Sequence, residues 1–496
     1  MVAKKSNLYR MLGLLRSAKP EEIRRAYLRA AKKLHPDKNQ AAGETELFLD
    51  VQQAYQVLVD PQRRAAYDAT LPPDEVEQAV EYPLDCKIEI SRSSIHSGRE
   101  RQLVYILATI AAAARFKENA KAPPLNICLV LDCSTSMQGP KMDMAKASAI
   151  KLLHQLGPDD IFSLVRFSDR AEVAIPASRQ VDIRRSEMQI RTLDTGGGTE
   201  ILSGLTIAID EVQRYNNPKY VNHVILLTDG RTYGDEQQCY EKAKIAASEG
   251  IGISGMGLGS GWNDVFLDHL ANITGASTMF IQQPQDIERF LSEKFINFSR
   301  AFAQSVDLCA ELAPGVVIDY AFRLQPEVGV LSFQNTTHLG PVFYDEPLLI
   351  LLELGISSDC SDIQSVDLLK GHLEATIATI LAPVPDIPFR VNVRVVDDAE
   401  PVEPPTAILQ ALSKVTLYRM QEKARGALEA GDYQKATQHL QRLATHLLAQ
   451  GEKNLAKTIL LEAQHIEQQK AFTESGEKQI KYGTRSLLLM PGERTL

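Results

Sequence analysis

Short apolar runs alternate with helical patterns through the middle of this 496-residue chain. The runs with the length and composition of buried strands are 126–131, 161–167, 224–228 and 251–257. Segments with helical periodicity separate them, over 142–156, 201–215 and 237–248. Buried strands that alternate with helices predict an α/β doubly wound domain. Ligands of such domains bind at the carboxyl ends of the strands.

Oxygen-bearing side chains stand at those predicted strand ends and helix starts. They are Asp132, Ser134 and Ser136 after the first run, Thr199 in a glycine-rich loop, and Asp229 after a later run. Hard divalent cations prefer carboxylate and hydroxyl oxygens. Only Asp132 and Asp229 are charged, so a carboxylate from a partner can complete the shell of the ion. Taken singly, each serine has a second reading as a helix cap, and Asp229 as part of an ordinary turn.

This set of residues resembles the metal-ion-dependent adhesion site of von Willebrand factor A (VWA) domains, over roughly residues 124–298. In that family an Asp-x-Ser-x-Ser segment, a distant Thr and a distant Asp coordinate the ion. The ligands that the resemblance implies are Asp132, Ser134, Ser136, Thr199 and Asp229. The implied ion is Mg²⁺, or another divalent cation such as Mn²⁺ or Ca²⁺, through which the domain holds a protein partner.

A basic helical segment near the start of the chain ends at His35-Pro36-Asp37. Apolar residues at helical spacing between residues 20 and 34 form one stripe, and Pro36 ends the helix because it lacks an N–H. The basic face, largely off that stripe, consists of Arg24, Arg25, Arg29, Lys32 and Lys33. A second striped helix over 46–59 predicts an antiparallel hairpin with the triplet at its exposed tip.

Residues 6–69 resemble a J-domain, the module of J-proteins that recruits a DnaK-type chaperone. Besides the triplet, the segments that carry the resemblance are 7–14, 54–58 and 67–68. The resemblance implies that His35, Pro36 and Asp37, together with the basic face, contact the ATPase of a DnaK-type chaperone and stimulate ATP hydrolysis. A solvated face without a partner is the alternative for any single one of these arginines or lysines.

Charge is unevenly distributed along the chain. Residues 1–70 hold 13 Lys and Arg against 8 Asp and Glu, whereas the whole chain has a net charge of −9. A basic module on an acidic protein favours an acidic protein partner. Nucleic acid is not expected, since the sequence has neither a long Lys/Arg run nor interleaved aromatic residues. The longest apolar run, 103–114, is too short to span a bilayer.

Several classes of chemistry are disfavoured by the sequence. Six scattered cysteines without a Cys-x-x-Cys pair argue against a disulfide framework and a zinc site, and fit a reducing cytoplasm. No signal-peptide pattern or P-loop is present. A metal hydrolase is the remaining enzymatic alternative, disfavoured because no nucleophile–base pair stands near Asp132. We therefore expect a cytoplasmic protein that is not an enzyme.

Alternating segments on either side of the α/β region, 82–118 and 303–396, predict antiparallel strands. We expect them to join in one β-sandwich into which the VWA region is inserted. Residues 406–470 have helical periodicity and predict a plain helical hairpin that packs on the sandwich. The predicted multidomain order is an all-α J-domain (1–70), a linker (71–81), the first part of the sandwich (82–123), the VWA domain (124–298), the second part of the sandwich (299–396), a Pro-rich acidic linker (397–405) and a C-terminal α-helical region (406–496).

Together these features predict a co-chaperone that acts as an adaptor. Its J-domain recruits and stimulates a DnaK-type chaperone, and its VWA domain binds an unidentified protein client or complex through a divalent metal. The alternative is a VWA scaffold that works with a MoxR-type AAA+ ATPase, with the J-domain as an accessory.

Overall fold

The computed structural model describes residues 7–14, 16, 18–34, 42–71, 81–97, 101–117, 122–232, 234–357, 365–380, 383–397 and 403–488. The His35-Pro36-Asp37 triplet and much of both predicted linkers lie outside these residues. None of the helices in the described ranges combines the length and apolarity needed to cross a membrane.

The amino-terminal domain is helical. Its described helices are α1 (Leu8–Met11), α2 (Pro20–Leu34), α3 (Ala42–Leu58) and α4 (Pro61–Thr70). Glu21 and Glu22 lie in the first turn of α2, where their negative charges stabilise the helix by interacting with the positive end of its dipole. The stripe of α2 packs on α3, with Ile23 fully buried and Tyr27 stacked on Tyr55 at 4.1 Å between ring centroids. The predicted antiparallel helical pair is therefore present.

A long α/β domain follows the first strands of the chain. The first strands are β1 (Leu84–Ile90), β2 (Ser94–His96) and β3 (Gln102–Ala112), followed by the short helix α5 (Ala114–Lys117). The α/β domain has the strands β4 (Leu125–Asp132), β5 (Ile161–Phe167), β6 (Ala171–Ser178), β7 (Val221–Thr228), β8 (Gly252–Leu258) and β9 (Thr278–Ile281). Its helices are α6 (Pro140–Leu153), α7 (Ile183–Arg191), α8 (Ile201–Gln213), α9 (Glu236–Ser248), α10 (Asp264–Ile273) and α11 (Ile287–Ser299).

The strand order β6-β5-β4-β7-β8-β9 explains where this domain can bind a ligand. All pairs are parallel except the one between β5 and the edge strand β6. Residues of β4 alternate between two apolar cores, with Ile127 and Leu129 on one face and Cys128 and Val130 on the other. The predicted doubly wound sheet is confirmed. Strand β5 lies on one side of β4 and strand β7 on the other, so the connections after β4 and β7 run in opposite directions across the sheet. A crevice forms at the carboxyl ends of β4 and β7 as a result.

Strands from both sides of the α/β domain combine in the β-sandwich. The later strands are β10 (Ala301–Leu312), β11 (Val316–Gln325), β12 (Gly329–Val330), β13 (Thr336–Phe343), β14 (Leu348–Ile356), β15 (Ser365–Thr376) and β16 (Ile387–Val396). One sheet has the order β1-β3-β14-β11-β12 and the other β13-β10-β15-β16-β2. Ile106 and Leu352 of the first sheet share a core with Leu308 and Val391 of the second. The α/β domain is thus inserted between β3 and β10.

A buried arginine joins the sandwich to the inserted domain. Arg323 on β11 donates hydrogen bonds to the backbone carbonyl oxygens of Ala276 and Leu339, each over 2.8 Å. Nearby, Lys294 of α11 pairs with Glu327. A buried cation is costly unless its donors are satisfied, so these acceptors favour one orientation of the two units.

The C-terminal region differs from the expected hairpin. Residues 403–488, all of which are described, contain α12 (Thr406–Glu429), α13 (Tyr433–Ala449), α14 (Lys453–Gln469) and α15 (Glu474–Ser486). Helix α12 packs on the sandwich, where Tyr418 meets Phe322 and Arg419 donates to Glu353 Oε2 over 2.5 Å. Helix α15 instead returns to the α/β domain. The hairpin prediction for residues 406–470 is wrong, because that range contains the three helices α12, α13 and α14. The return of α15 was not foreseen because it buries charged side chains through ion pairs, which an apolar periodicity does not reveal.

An ion-pair network fastens α15 to α10. Arg485 donates to the two carboxylate oxygens of Asp268 over 3.0 and 2.9 Å, and Lys481 Nζ lies 2.8 Å from the same carboxylate. Burial raises the pKa of Asp268, but the two cations outweigh it and hold that pKa well below its usual range. Asp268 therefore stabilises the docked C-terminal helix in its ionised form.

We expect Asp268→Ala to destabilise the protein by about 3–5 kcal/mol, since it leaves the buried Arg485 without its carboxylate and removes one of the two carboxylates, Asp264 and Asp268, that pair with Lys481. Urea unfolding followed by circular dichroism measures this loss. Asp210→Ala, an exposed position on α8, is the matched control and should change stability by no more than about 0.5 kcal/mol. Because the folded pKa is depressed, the contribution is complete above the unfolded pKa of about 3.9 and is lost as the pH falls toward the folded value. Equal unfolding midpoints for the two variants would contradict this role.

Candidate metal centre and chaperone-binding face

The carboxyl ends of β4 and β7 bring together the two acidic residues of the predicted metal site. Asp132 ends β4 and Asp229 follows β7, and both side chains are buried. Thr228 Oγ1 donates to Asp132 Oδ2 over 2.6 Å, and the backbone N–H of Ser134 donates to Oδ1 over 2.8 Å. Burial raises the pKa of Asp132, and the like charge of Asp229 adds to that effect, while the hydrogen bonds lower it. The carboxylate is thus fixed in orientation beside a second negative charge.

The two serines connect these carboxylates. Ser134 Oγ lies 3.0 Å from Ser136 Oγ, and Ser136 Oγ donates to Asp229 Oδ1 over 2.6 Å. A single 3-10 turn over Thr135–Met137 separates this segment from α6, which begins after Gly139. Ser134 makes no side-chain cap hydrogen bond to that turn. The serine hydroxyls therefore face the acidic residues, and the alternative of helix capping is not supported.

Thr199 approaches Asp229 from the glycine-rich loop. A Cβ atom placed on Gly230 would lie only 2.7 Å from Thr199 Oγ1, so the hydroxyl rests against the turn that follows β7. Asp169 holds the loop, because its Oδ1 accepts a hydrogen bond from Gly198 N over 2.7 Å. The structure thus brings all five predicted ligand residues to one place.

Three residues at the site were not singled out from the sequence. Thr228 and Asp169 orient the ligand-bearing segments through the hydrogen bonds described above. Lys141, near the start of α6, contacts Asp229 Oδ2 and donates to Ser136 O over 3.2 Å. Thr228 ends the apolar strand β7 and Asp169 lies two residues after β5, a signal that could have marked them. The position of Lys141 depends on the turn after Ser136 and carries no sequence signal.

The donor set fits a hard divalent cation. Two carboxylates and three hydroxyls converge, and the thiol of Cys133, which lies between ligands in the sequence, packs into the apolar core instead. Ions such as Mg²⁺, Mn²⁺ and Ca²⁺ are bound by such oxygen donors. The ammonium group of Lys141 on Asp229 shows in addition that this carboxylate accepts a cation as a neighbour.

The predicted chaperone-binding face on α2 is divided. Arg24 is exposed. Arg29 Nη1 lies 2.6 Å from Asp386 Oδ1 and 3.0 Å from Glu374 Oε1, both on the sandwich. Arg25 Nη1 lies 3.0 Å from His372 Nε2 and 3.9 Å from Glu374 Oε1. The remaining members of the predicted set, His35, Pro36, Asp37 and the side chains of Lys32 and Lys33, lie outside the described residues. Part of the basic face is therefore engaged within the chain.

The amino-terminal domain also sits close to the α/β domain, at the edge opposite the metal ligands. Leu12 and Ala26 line a cavity of about 270 Å³ together with Val221 and Gly252. The latter two residues begin β7 and β8, so the cavity marks the amino ends of these parallel strands.

Comparison with protein families agrees with this architecture. Residues 7–68 match the DnaJ domain, and residues 126–292 match the von Willebrand factor type A domain. This chain joins a J-domain to a VWA domain. A third match, over residues 406–490, is to the Sll0103-like, C-terminal alpha-helical domain, which corresponds to the helices α12 to α15.

Relatives match either the J-domain or a much longer part of the chain. The protein sll0103 of Synechocystis sp. is 28% identical over 377 residues, which are 73% of this chain and 87% of that protein. The chaperone protein DnaJ of Enterococcus faecalis is 48% identical over 67 residues, 14% of this chain and 17% of that protein. The match thus spans less than a fifth of the length of that DnaJ protein.

Solved structures share the fold. A von Willebrand factor type A protein from Catenulispora acidiphila has a TM-score of 0.64 at 16% identity, with 82% of this chain and 97% of that chain covered. The ArnB paralog VWA2 from Sulfolobus acidocaldarius has a TM-score of 0.55 at 14% identity, with 82% and 99% covered. Coverage of this extent shows that the fold similarity reaches well beyond the VWA domain itself.

Proposed function

We propose that this chain is an adaptor co-chaperone. Its J-domain recruits a DnaK-type chaperone and stimulates ATP hydrolysis by that chaperone, while its VWA domain holds a protein client through a divalent ion. The observation that carries the proposal is the convergence of Asp132, Asp229 and the three hydroxyls on a chain that also has a J-domain. The proposal assigns no catalytic step to the chain itself.

Mg²⁺ is the proposed ion, and Mn²⁺ or Ca²⁺ would use the same donors. When bound, the ion supplies an electrophilic coordination position that a carboxylate of the client can fill. The protein supplies the rest. Thr228 fixes Asp132, Ser136 bridges to Asp229, and Lys141 adds a positive charge beside the site. Two carboxylates balance the charge of the ion, and Lys141 leaves the site net positive, which favours an acidic client group.

The chaperone half of the proposal uses α2. The J-domain has a closed core of its own, in which Tyr9, Leu12 and Val51 are buried, so it can present the helix as a rigid surface. Arg24 faces solvent and is the described member of the basic face that is open to a partner. A reducing cytoplasm is the proposed setting, because the described cysteines are free thiols.

Cross-linking of the full chain in Mg²⁺ and in EDTA, followed by identification of the captured proteins, tests both halves. We expect a client that is retained only in Mg²⁺ and a DnaK-type chaperone that is retained in both. A client captured equally in EDTA would remove the metal from the mechanism. Failure of the purified chain to accelerate ATP turnover by DnaK would remove the chaperone.

Gly230→Ala is expected to weaken Mg²⁺ binding by about 10- to 100-fold, the range found when the support of a metal ligand is disturbed. The added methyl group would displace the Thr199 hydroxyl, which it would approach to 2.7 Å. Titration calorimetry measures the affinity. Gly196→Ala is the matched control. Gly196 lies in the loop that carries Thr199, has open space around its Cβ position, and its alanine variant should bind Mg²⁺ like the wild type. Equal affinities for both variants would exclude Thr199 as a ligand.

A further inference from the structure

A second group of metal-ligating side chains lies on the outer face of the sandwich, far along the sequence from the VWA site. Cys309 on β10 and His372 on β15 are direct cross-strand partners, and Glu374 follows His372 by two residues. Alternate residues of a strand share a face. The thiol, imidazole and carboxylate ligand atoms lie within 4.8 Å of one another.

A candidate fourth ligand, Asp386, lies in the loop before β16. Asp386 Oδ2 lies 3.7 Å from His372 Nε2, and His372 Nε2 lies 3.1 Å from Glu374 Oε1. Ligands bound at about 2.0–2.3 Å in a tetrahedron stand about 3.3–3.8 Å apart, so the ligand atoms of Cys309, His372 and Glu374, which lie within 4.8 Å of one another, must draw together and Asp386 must turn toward them to bind one ion. Asp386 Oδ1 is buried and receives no aligned hydrogen bond, although Arg29 lies beside it. Arg29 Nη1, 2.6 Å away, is thus the cation that neutralises this carboxylate in the docked state.

The chemistry of this cluster differs from that of the VWA site. One sulfur, one imidazole nitrogen and two carboxylates form a mixed soft and hard set, which suits Zn²⁺ rather than Mg²⁺. Cys309 is partly accessible, so an ion can reach it.

Two arginines of the J-domain now use the same ligand atoms. Arg29 Nη1 lies 3.0 Å from Glu374 Oε1, and Arg25 Nη1 lies 3.0 Å from His372 Nε2. An ion bound by these atoms would compete with both guanidinium groups. One dication carries the charge of the two arginines it replaces, and the Cys309 thiol releases its proton to solvent when it binds as a thiolate. Partly exposed ion pairs are weak compared with metal coordination.

We propose that Cys309, His372, Glu374 and Asp386 form a Zn²⁺ site, and that Zn²⁺ bound there displaces Arg25 and Arg29 and releases α2 from the sandwich. Binding of Zn²⁺ and docking of α2 on the sandwich then oppose each other. By linkage, the docked J-domain lowers the affinity of the site for Zn²⁺. Release would expose the engaged part of the basic face to a chaperone, a consequence that rests on the function proposed above. The metal site and the release of α2 do not depend on it.

Co²⁺ added to the full chain in excess Mg²⁺ tests the site, because Mg²⁺ keeps the VWA site filled and a thiolate–cobalt bond gives a charge-transfer absorption band. We expect this band in the wild type, its loss in Cys309→Ser and in His372→Ala, and its retention in Cys86→Ser, a control at another partly buried thiol. Absence of the band from the wild type, or its persistence in Cys309→Ser, would overturn the site.

Hydrogen exchange of the α2 amides tests the release under the same conditions. Zn²⁺ should speed exchange at α2 severalfold in the wild type and leave it unchanged in Cys309→Ser. Unchanged exchange in a wild-type protein that shows the cobalt band would overturn the displacement of the arginines. Neither readout involves DnaK or a client, so failure here is distinguishable from failure of the co-chaperone proposal.

Discussion

Asp37→Asn is expected to abolish the stimulation of a DnaK-type ATPase by this chain. The substitution keeps the size of the side chain but removes the negative charge that the J-domain resemblance places against the chaperone. Loss of one member of a hydrogen-bonded charge pair in an interface costs about 2–5 kcal/mol, which corresponds to about 30-fold or more in affinity. Steady-state ATP turnover by DnaK, measured with increasing amounts of the full chain, shows the effect directly.

Asp50→Asn provides the control for this experiment. Asp50 is an exposed residue of α3, so the substitution makes the same change of charge in the same domain without touching the triplet. We expect it to stimulate DnaK as the wild type does, and both variants to retain the client in Mg²⁺. Undiminished stimulation by Asp37→Asn would refute the chaperone half of the proposal.

Asp132→Ala is expected to abolish both the divalent-ion dependence of stability and the capture of the client. Asp132 accepts hydrogen bonds from Thr228 and Ser134 and lies beside Asp229. The substitution therefore removes a proposed ligand and leaves these two donors without their acceptor. A ligand present at 100 times its Kd stabilises the folded state by about 2.7 kcal/mol. Thermal unfolding in Mg²⁺ and in EDTA should therefore differ for the wild type and coincide for the variant.

Asp159→Ala, at an exposed position in the turn before β5, is the control for Asp132→Ala. It should keep the difference between Mg²⁺ and EDTA and should retain the client. A variant Asp132→Ala that still gains stability from Mg²⁺ would show that the ion binds elsewhere. Client capture by that variant would show that the VWA domain recognises its partner without the metal.

The convergence of the five candidate ligand residues could be predicted from the sequence because each stands at the end of a recognisable element. Asp132 and Asp229 follow apolar runs, and parallel strands bring their carboxyl ends to one edge. Thr199 is marked by the glycines before it. The physical rule that places these residues together needs only the order of strands and helices, which apolar periodicity reveals.

Other contacts depend on pairings that periodicity does not determine. Cys309 and His372 lie far apart in the sequence and meet only through the register of β10 and β15. For this reason the scattered cysteines gave no sign of the proposed Zn²⁺ site. The docking of α15 was missed because Lys481 and Arg485 read as solvent-exposed charges until their partner Asp268 is known.

The cavity beneath the J-domain has a consequence for the assembly that this chain can form. It lies at the amino ends of β7 and β8, whereas Asp132 ends β4 and Asp229 directly follows β7, at the carboxyl ends of these strands. The length of a strand of seven or eight residues, about 25 Å, separates the cavity from the candidate metal site. A client held at Asp132 and Asp229 would therefore lie on the opposite side of the α/β domain from the J-domain, and the sheet between them would set their separation.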